Sequence, residues 1–490
     1  MCSSDLNPAA TAVALAPLLR LPVEDLQASL TGTRRFVYIK RTVDANVWAR
    51  ITALRLPGLF GYSTSTRVYP GKTLASNLLG FVGIDGKGLA GVELMANSNL
   101  AGKDGVARYE RDPGGRPIPD TAARTVQPVR GTDIRLTIDR DIQWTAETEL
   151  AGAVQKAKAD YGTVVVMRPD TGDIIAQATV PSIDSNNPRA ADASLRGNRA
   201  VSDVYEPGST SKMMTMAAVL DSGKATAVSK FSVPYSMRFG NRVLHDHDPH
   251  GVERMTLNGI LAQSSNIGTF LAARLIGPDG LYRALKRFGV AEPTGLGFPG
   301  ESRGVVPHPS NWSVTSFPTI AYGQGLSLNA LQAASAYATI ANDGVRMPPR
   351  LVAGTVDARG AFTAAPRSAG IRVVSSTTAR TLRQMLESVV EKGTGTNAAV
   401  AGYRVAGKTG TASRFDPKLN RYSGYVASFI GMLPADHPKL VIAVSIHNPR
   451  GAHFGGVIAA PVFAKIATFA VQERRIPPGS ASAPRIPLTW

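Results

Sequence analysis

Cysteine is nearly absent: Cys2 is the only one among 490 residues. That excludes a disulfide-stapled scaffold and any CxxC zinc site. It says nothing of compartment, because an exported chain that avoids cysteine reads like a reduced cytosolic one. Long apolar runs are missing as well, and nothing reaches the roughly 18 to 20 residues that span a bilayer. The best candidate, Ala9 to Leu19, holds Thr11 and Pro17 and has no basic segment before it, so it is neither a span nor a signal peptide. With 43% hydrophobic and 18% charged residues, the chain also lacks the composition of a disordered tail. Acidic residues are the scarcer sign, and 54 Lys and Arg against 36 Asp and Glu leave a formal charge of +18. This excess suits an anionic membrane or an acidic polymer, and a diffusely basic surface would carry it equally well. The basic residues are scattered, with Arg34-Arg35, Lys40-Arg41 and Arg474-Arg475 the pairs of note, and no aromatic-basic module for nucleic acid stands out.

At roughly 150 residues per domain the length makes two or three units. Up to about residue 130, short apolar segments alternate with turns such as Tyr69-Pro70-Gly71, Asp85-Gly86 and Asp112-Pro113-Gly114-Gly115, the pattern of an irregular α/β module. From residue 131 the segments lengthen. Asp133 to Ile138 alternates like a strand, and Asp139 caps a helical run to Lys158. Residues 162–179 read as a hairpin turning at R-P-D-T-G. Helical patterns follow at 209–222, 256–274, 328–342 and 376–392, and strands at 424–432 and 440–446. Strands at both ends with helices between predict an α/β (α+β) unit over 131–473, with one mixed sheet, flanked by helices, whose first and last strands pair. Residues 474–490 are rich in Pro and Ser and are expected to be a flexible tail.

Two motifs invite over-reading. Gly86 to Gly91 matches GxGxxG, but no long helix follows it to receive a pyrophosphate, so its glycines are read as turns. His245-Asp246-His247-Asp248-Pro249-His250 has metal-ligand residue types. Along an extended strand, alternate side chains point to opposite faces, and the segment is read as a polar loop near a cleft. No metal and no cofactor are expected.

Three separated motifs carry chemistry. Glu206-Pro207-Gly208-Ser209-Thr210-Ser211-Lys212 opens a helix, and residues at i and i+3 share a helix face, which sets Lys212 beside Ser209. A serine hydroxyl is a poor nucleophile until a base takes its proton, and a desolvated lysine near another cation is such a base. In Ser264-Ser265-Asn266, Ser264 can relay a proton and Asn266 can hold a lysine or a substrate amide. In Lys408-Thr409-Gly410-Thr411, following the apparent strand Tyr403 to Ala406, a cation and two hydroxyls can grip a carboxylate. Gly410 would let substrate backbone approach, and the Thr411 N–H would complete an oxyanion hole with that of Ser209. Each motif alone is common, whereas the three in this order are not.

In these residues the chain resembles the class B penicillin-binding proteins, and among them the septal peptidoglycan D,D-transpeptidases. G-T-D-I-R-L-T-I-D at 131–139, M-R-P-D-T-G-D-I-I-A at 167–176, A-Y-G-Q-G-L-S-L-N at 321–329, G-T-G-T at 393–396 and G-G-V-I-A-A-P-V-F at 455–463 are similar to signatures of their catalytic domain. Arg67 to Pro70 and the Gly88, Gly91, Glu93 stretch resemble the non-catalytic, dimerisation-type pedestal, here residues 1–130. The resemblance implies the penicillin-binding transpeptidase fold, with Ser209 as the acylated nucleophile and Lys212 as its base. Ser264 and Asn266 would form the second wall, and Lys408, Thr409, Gly410 and Thr411 the substrate-binding strand. It further implies a D-Ala-D-Ala stem peptide as donor, β-lactams as inhibitors, and a septal glycan polymerase and other division proteins as partners. A single membrane anchor before this chain and an extracytoplasmic catalytic domain are implied too, and no nucleic acid is. F-V-Y-I-K-R at 36–41 and V-Y-P-G at 68–71 favour the septal over the elongation type.

A serine β-lactamase would need a carboxylate base in an E-x-x-L-N string between the second and third motifs, and none lies between Asn266 and Lys408. A D,D-carboxypeptidase, a β-lactam sensor and a division scaffold that keeps the motifs are the other readings. Turnover separates them from a transpeptidase.

Overall fold

The computed structural model describes residues 7–32, 36–108, 110, 118, 124–240, 242–416, 419–480, 482 and 485–490. Cys2, the Arg34-Arg35 pair and the Asp112 to Gly115 turn lie outside them. The chain divides into two compact units: Met1–Val68 with Ile84–Gly86 and Ala101–Gly131, and Tyr69–Gly83 with Lys87–Leu100 and Thr132–Trp490.

In the first unit the helices Pro8–Leu19, Val23–Leu30 and Ala45–Ala53 bury a small core of Ala12, Leu15, Leu19, Leu26 and Ile51. These units do not follow the expected boundary near residue 130 throughout, because Tyr69–Gly83 and Lys87–Leu100 pack with the larger unit. Leu78, Val92 and Ala96 join its core, the Ala75 N–H donates to Glu147 Oε1 at 2.7 Å, and Asn77 Nδ2 donates to the carbonyls of Leu195 and Gly197. Within this segment, Gly91 of the GxGxxG string has φ +60°, lies against the backbone of Leu78 to Gly80 and opens the five-residue helix Gly91–Met95.

The larger unit is built on five strands: β1 (Tyr161–Met167), β2 (Ile174–Val180), β3 (Ala406–Asp416), β4 (Arg421–Leu433) and β5 (Leu440–His447). Their order is β3-β4-β5-β1-β2, so the first and last strands pair, with Val441 opposite Met167. The expected mixed sheet is antiparallel in all four pairings, because three of them are hairpins or near-hairpins and β5 returns against β1. The strands are apolar on both faces, as a sheet covered on both sides requires. Val164, Val166, Ile442, Val444 and Ile446 face one core, packed with Arg140–Lys156 and Ala460–Glu473. Val165, Met167, Val441 and Ala443 face the other, with Lys212–Asp221, Ala330–Ala341 and Ser376–Lys392.

Local signals explain the framing helices. Asp139 caps Arg140–Lys156 by accepting from the N–H groups of Asp141 and Ile142. The stretch Gly455–Glu473 is long and apolar enough by composition to cross a membrane, but half of it is buried in the sheet core through Phe463, Ile466 and Val471.

The tail also departs from expectation. The N–H of Thr256 donates to Leu488 O at 2.9 Å, Asn258 Nδ2 to Ile486 O at 3.0 Å, and Trp490 N to Arg254 O at 3.2 Å. Its composition resembles a linker, yet it finds unpaired groups at the edge strand Glu253–Thr256 and satisfies them.

Candidate active site

The first motif sits where a short 3₁₀ turn, Gly208–Ser211, feeds the helix Lys212–Asp221. The turn is held from several sides. Gly208 N donates to Gly323 O at 2.9 Å, the Tyr337 hydroxyl to Thr210 O at 2.8 Å, and Ser211 Oγ back to Gly208 O at 2.9 Å. Tyr337 belongs to Ala330–Ala341, a helix buried along its whole length, so the anchor is rigid. Gly323 has φ +94°, a left-handed conformation in which a side chain would strike the Gly208 carbonyl and Ser211 Oγ. Among Gly208 to Lys212, Ser209 alone is not buried.

The expected helical segment 256–274 breaks where the second motif lies. Leu257–Gln263 ends at Ser264 in the left-handed conformation (φ 63°), and Asn266–Ala273 restarts with Ser265 as its N-cap. The break frees Ser264 O, Ser264 Oγ and Asn266 Oδ1, all of which accept from Lys212 Nζ, at 2.5, 3.3 and 2.7 Å. Strain of this kind is characteristic of functional sites. Lys212 is 0% exposed. Its hydrogen bonds among the described residues all go to the second motif and none to Ser209, although the spacing predicts neighbours. Burial lowers its pKa from 10.5 to about 7, and the charge of Asp246 opposes that fall.

The third motif lies within β3, which begins at Ala406, later than the expected strand at Tyr403, and forms the sheet edge. Lys408 is also fully buried. Desolvation and the charge of Lys212 hold its pKa well below the ordinary lysine value. The Thr409 hydroxyl is buried, 2.7 Å from Thr394 Oγ1 and 3.2 Å from Lys408 Nζ. Thr411 is half-exposed and its Oγ1 accepts from Gly455 N at 3.1 Å. The reason for Gly410 changes. A β-carbon there would meet Thr210 Cγ2 at 2.9 Å and Pro207 O at 3.1 Å, so the missing side chain lets the Gly208–Ser211 turn lie against β3.

Two lysines are thus sunk under a rim of partly exposed groups, Ser209, Ser264, Asn266 and Thr411. Three partners went unrecognised in the sequence. Glu206 Oε1 accepts from Gly325 N at 3.0 Å and Tyr422 OH at 2.9 Å, and burial raises its pKa. Thr394 lies in the G-T-G-T string, and Asp246 in the histidine-rich loop. In that loop His245 meets the Asp246 carbonyl, His247 packs 5.2 Å from the Phe454 ring, and His250 contacts the Asp246 carboxylate, so the three imidazoles are engaged separately.

A partly exposed serine in the turn that feeds a helix, a buried lysine of lowered pKa three residues on and a second buried lysine on an edge strand are residue types that acyl-transferring serine enzymes use. A family model of the penicillin-binding protein transpeptidase domain matches residues 162–468, and one of the penicillin-binding protein dimerisation domain matches residues 4–136. Penicillin-binding protein PbpB of Mycolicibacterium smegmatis is 38% identical over 473 residues, 94% of this chain and 72% of that protein. Peptidoglycan D,D-transpeptidase FtsI of Escherichia coli is 33% identical over 95% of this chain and 77% of its own length. The crystal structure of penicillin-binding protein 3 from Mycobacterium tuberculosis, complexed with aztreonam, superposes with a TM-score of 0.78 at 37% identity, covering 87% of this chain and 93% of that one. The chain belongs to the penicillin-binding protein transpeptidases and is a peptidoglycan D,D-transpeptidase.

Proposed function

We propose that the enzyme cross-links stem peptides through an ester on Ser209. Neutral Lys212 takes the Ser209 proton as Oγ attacks the carbonyl carbon of the penultimate D-alanine. The N–H groups of Ser209 and Thr411 receive the oxyanion. The amide C–N bond then breaks, its nitrogen is protonated, and D-alanine leaves. An amine of a neighbouring stem attacks the ester, gives up a proton and restores the Ser209 hydroxyl. Lys408 and Thr411 hold the donor carboxylate, Ser264 relays protons, and Asn266 steadies Lys212 and the substrate amide. β-Lactams enter as donor mimics and stop at the ester.

The observation that carries this reading is the pinning of Lys212 by Ser264 and Asn266 with its pKa lowered to about 7. Intact-mass spectrometry with a penicillin tests it. One slowly lost adduct, abolished in Ser209→Ala, is expected. Hydrolysis without an adduct would make the protein a β-lactamase, and neither adduct nor hydrolysis would overturn the reading.

The same proposal sets the work at the division septum, with a membrane-tethered catalytic unit outside the cytoplasm and a glycan polymerase and division proteins as partners. It is supported by the pedestal strings at 36–41 and 68–71. Rescue of a division-defective strain but not an elongation-defective one is the expected result.

A further inference from the structure

The histidine-rich loop, whose residue types suit a metal, makes hydrogen bonds to the second motif. Asp246 is 5% exposed, and its carboxylate receives four contacts. Oδ1 accepts from the N–H groups of Asn266 at 2.5 Å and Ile267 at 2.9 Å, and Oδ2 from Ser265 Oγ at 2.6 Å with His250 Nε2 at 3.2 Å. The residue thus fastens the first turn of Asn266–Ala273, the turn that presents Asn266 Oδ1 to Lys212 Nζ at 2.7 Å. The loop is itself secured, since Asp246 N donates to Tyr235 O at 2.9 Å.

We infer that Asp246 is the positioning residue of the lysine base: it mounts the second motif and supplies the negative charge against which Lys212 titrates, while His250 partly neutralises that charge. This rests on Lys212 being the base of the proposed acylation.

The groups that face this pair are few. Lys212 faces Asp246 from the helix Lys212–Asp221, and Lys408 of β3 faces Lys212. Glu253 faces His250 from the strand Glu253–Thr256, with Oε1 3.9 Å from Nδ1. The Tyr235 ring lies 5.9 Å from His250 and 6.0 Å from His245. Both nitrogens of His250 look at acceptors, Gly251 O at 2.6 Å and Asp246 Oδ2. Only the imidazolium satisfies both. Burial opposes the protonated form, but the hydrogen bonds to Gly251 and Asp246 and the charges of Glu253 and Asp246 outweigh it and raise the His250 pKa. An anion near a lysine favours its protonated form, so removing that anion makes the lysine a free base at lower pH.

The test is the second-order rate constant of acylation by a fluorescent penicillin, measured from pH 5.5 to 9 on Asp246→Asn, His250→Gln and, as a charge control, the exposed Asp248→Asn. Thermal melting of each variant checks folding. Asp246→Asn is expected to move the midpoint of the profile down by roughly one pH unit. His250→Gln is expected to move it up, and Asp248→Asn to leave it in place. A purely structural mount would lower the rate at every pH with the midpoint unmoved, and that result overturns the inference, as does an equal shift from Asp248→Asn. If Asp246→Asn does not fold, His250→Gln decides alone: an upward shift supports the inference, and an unmoved midpoint overturns it. An adduct that persists in Ser209→Ala would instead sink the acyl-enzyme reading, so the two failures are distinguishable.

Discussion

Replacing Lys212 by arginine separates a lysine that only carries charge from one that moves a proton. Burial brings its pKa from 10.5 to about 7, so the site disfavours the ammonium by about 5 kcal/mol relative to water. At pH 7 about half of the molecules then hold a neutral amine, whereas at the ordinary pKa the neutral fraction would be on the order of one in three thousand. The depressed pKa therefore supplies roughly a thousandfold in active base at neutral pH. A guanidinium retains the positive charge and can reach the same acceptors, but it does not deprotonate. Stopped-flow acylation by a penicillin should rise with pH, with a midpoint at about 7 and a tenfold loss per unit below pH 6. Lys212→Arg should lose about 10³-fold and the sigmoid with it. Acylation that is flat from pH 5.5 to 8.5, or a Lys212→Arg rate within tenfold of the parent, would refute the reasoning.

Three further outcomes follow from the packing. Gly323→Ala forces a left-handed alanine, at about 1 to 2 kcal/mol, and pushes the nucleophile turn through Gly208 and Ser211; acylation should fall about a hundredfold with only a modest drop in melting temperature. His447 is buried against Tyr161 and Ser445, and desolvation, then the charges of Arg414 and Arg199, lower its pKa from 6.5 to about 3. Between those values the unfolded chain takes up a proton that the folded one refuses, so stability falls with pH, by about 2 kcal/mol from this group between pH 7 and 5; urea unfolding of His447→Gln should show that much less acid sensitivity, and parallel curves would exclude it. Arg404 grips Glu387, which is 3% exposed, through two hydrogen bonds of 2.7 and 2.8 Å. Arg404→Ala leaves that carboxylate buried and unpaired and should cost about 3 to 5 kcal/mol in calorimetry, with the folded fraction still acylating normally.

The parts legible in the sequence were those written locally. Helices with a capping residue and a periodic face, such as Arg140–Lys156 behind Asp139, appear where expected. So do the apolar strands of the central sheet. The structure brings parts of the three motifs together: Lys212 bonds to the second motif, and Lys408 is buried where the charge of Lys212 acts on it. Partners were not legible. Thr409 and Thr411 share a strand face and look equivalent in a string, yet one hydroxyl meets Thr394 and the other accepts from Gly455 N. Long-range partners were hidden too. Asp246 lay in a segment weighed for metal binding, and only the fold reveals that its carboxylate caps a helix beginning at Asn266. Composition misled at the tail, since Pro and Ser describe a linker equally well whether or not an open strand edge awaits it.

That docked tail bears on how the protein is made. The helix whose end presents Ser264 starts beneath Ile486 to Leu488, and a side chain at Gly259 would collide with the Leu488 carbonyl. The sheet closes only when β5 meets β1, near opposite ends of the unit. Ile486 lies 228 residues beyond the Asn258 side chain it receives, so the turn that presents Ser264 is completed by a segment made long after it, and order in the unit rests on pairings of high sequence separation that cost loop-closure entropy before they stabilise anything.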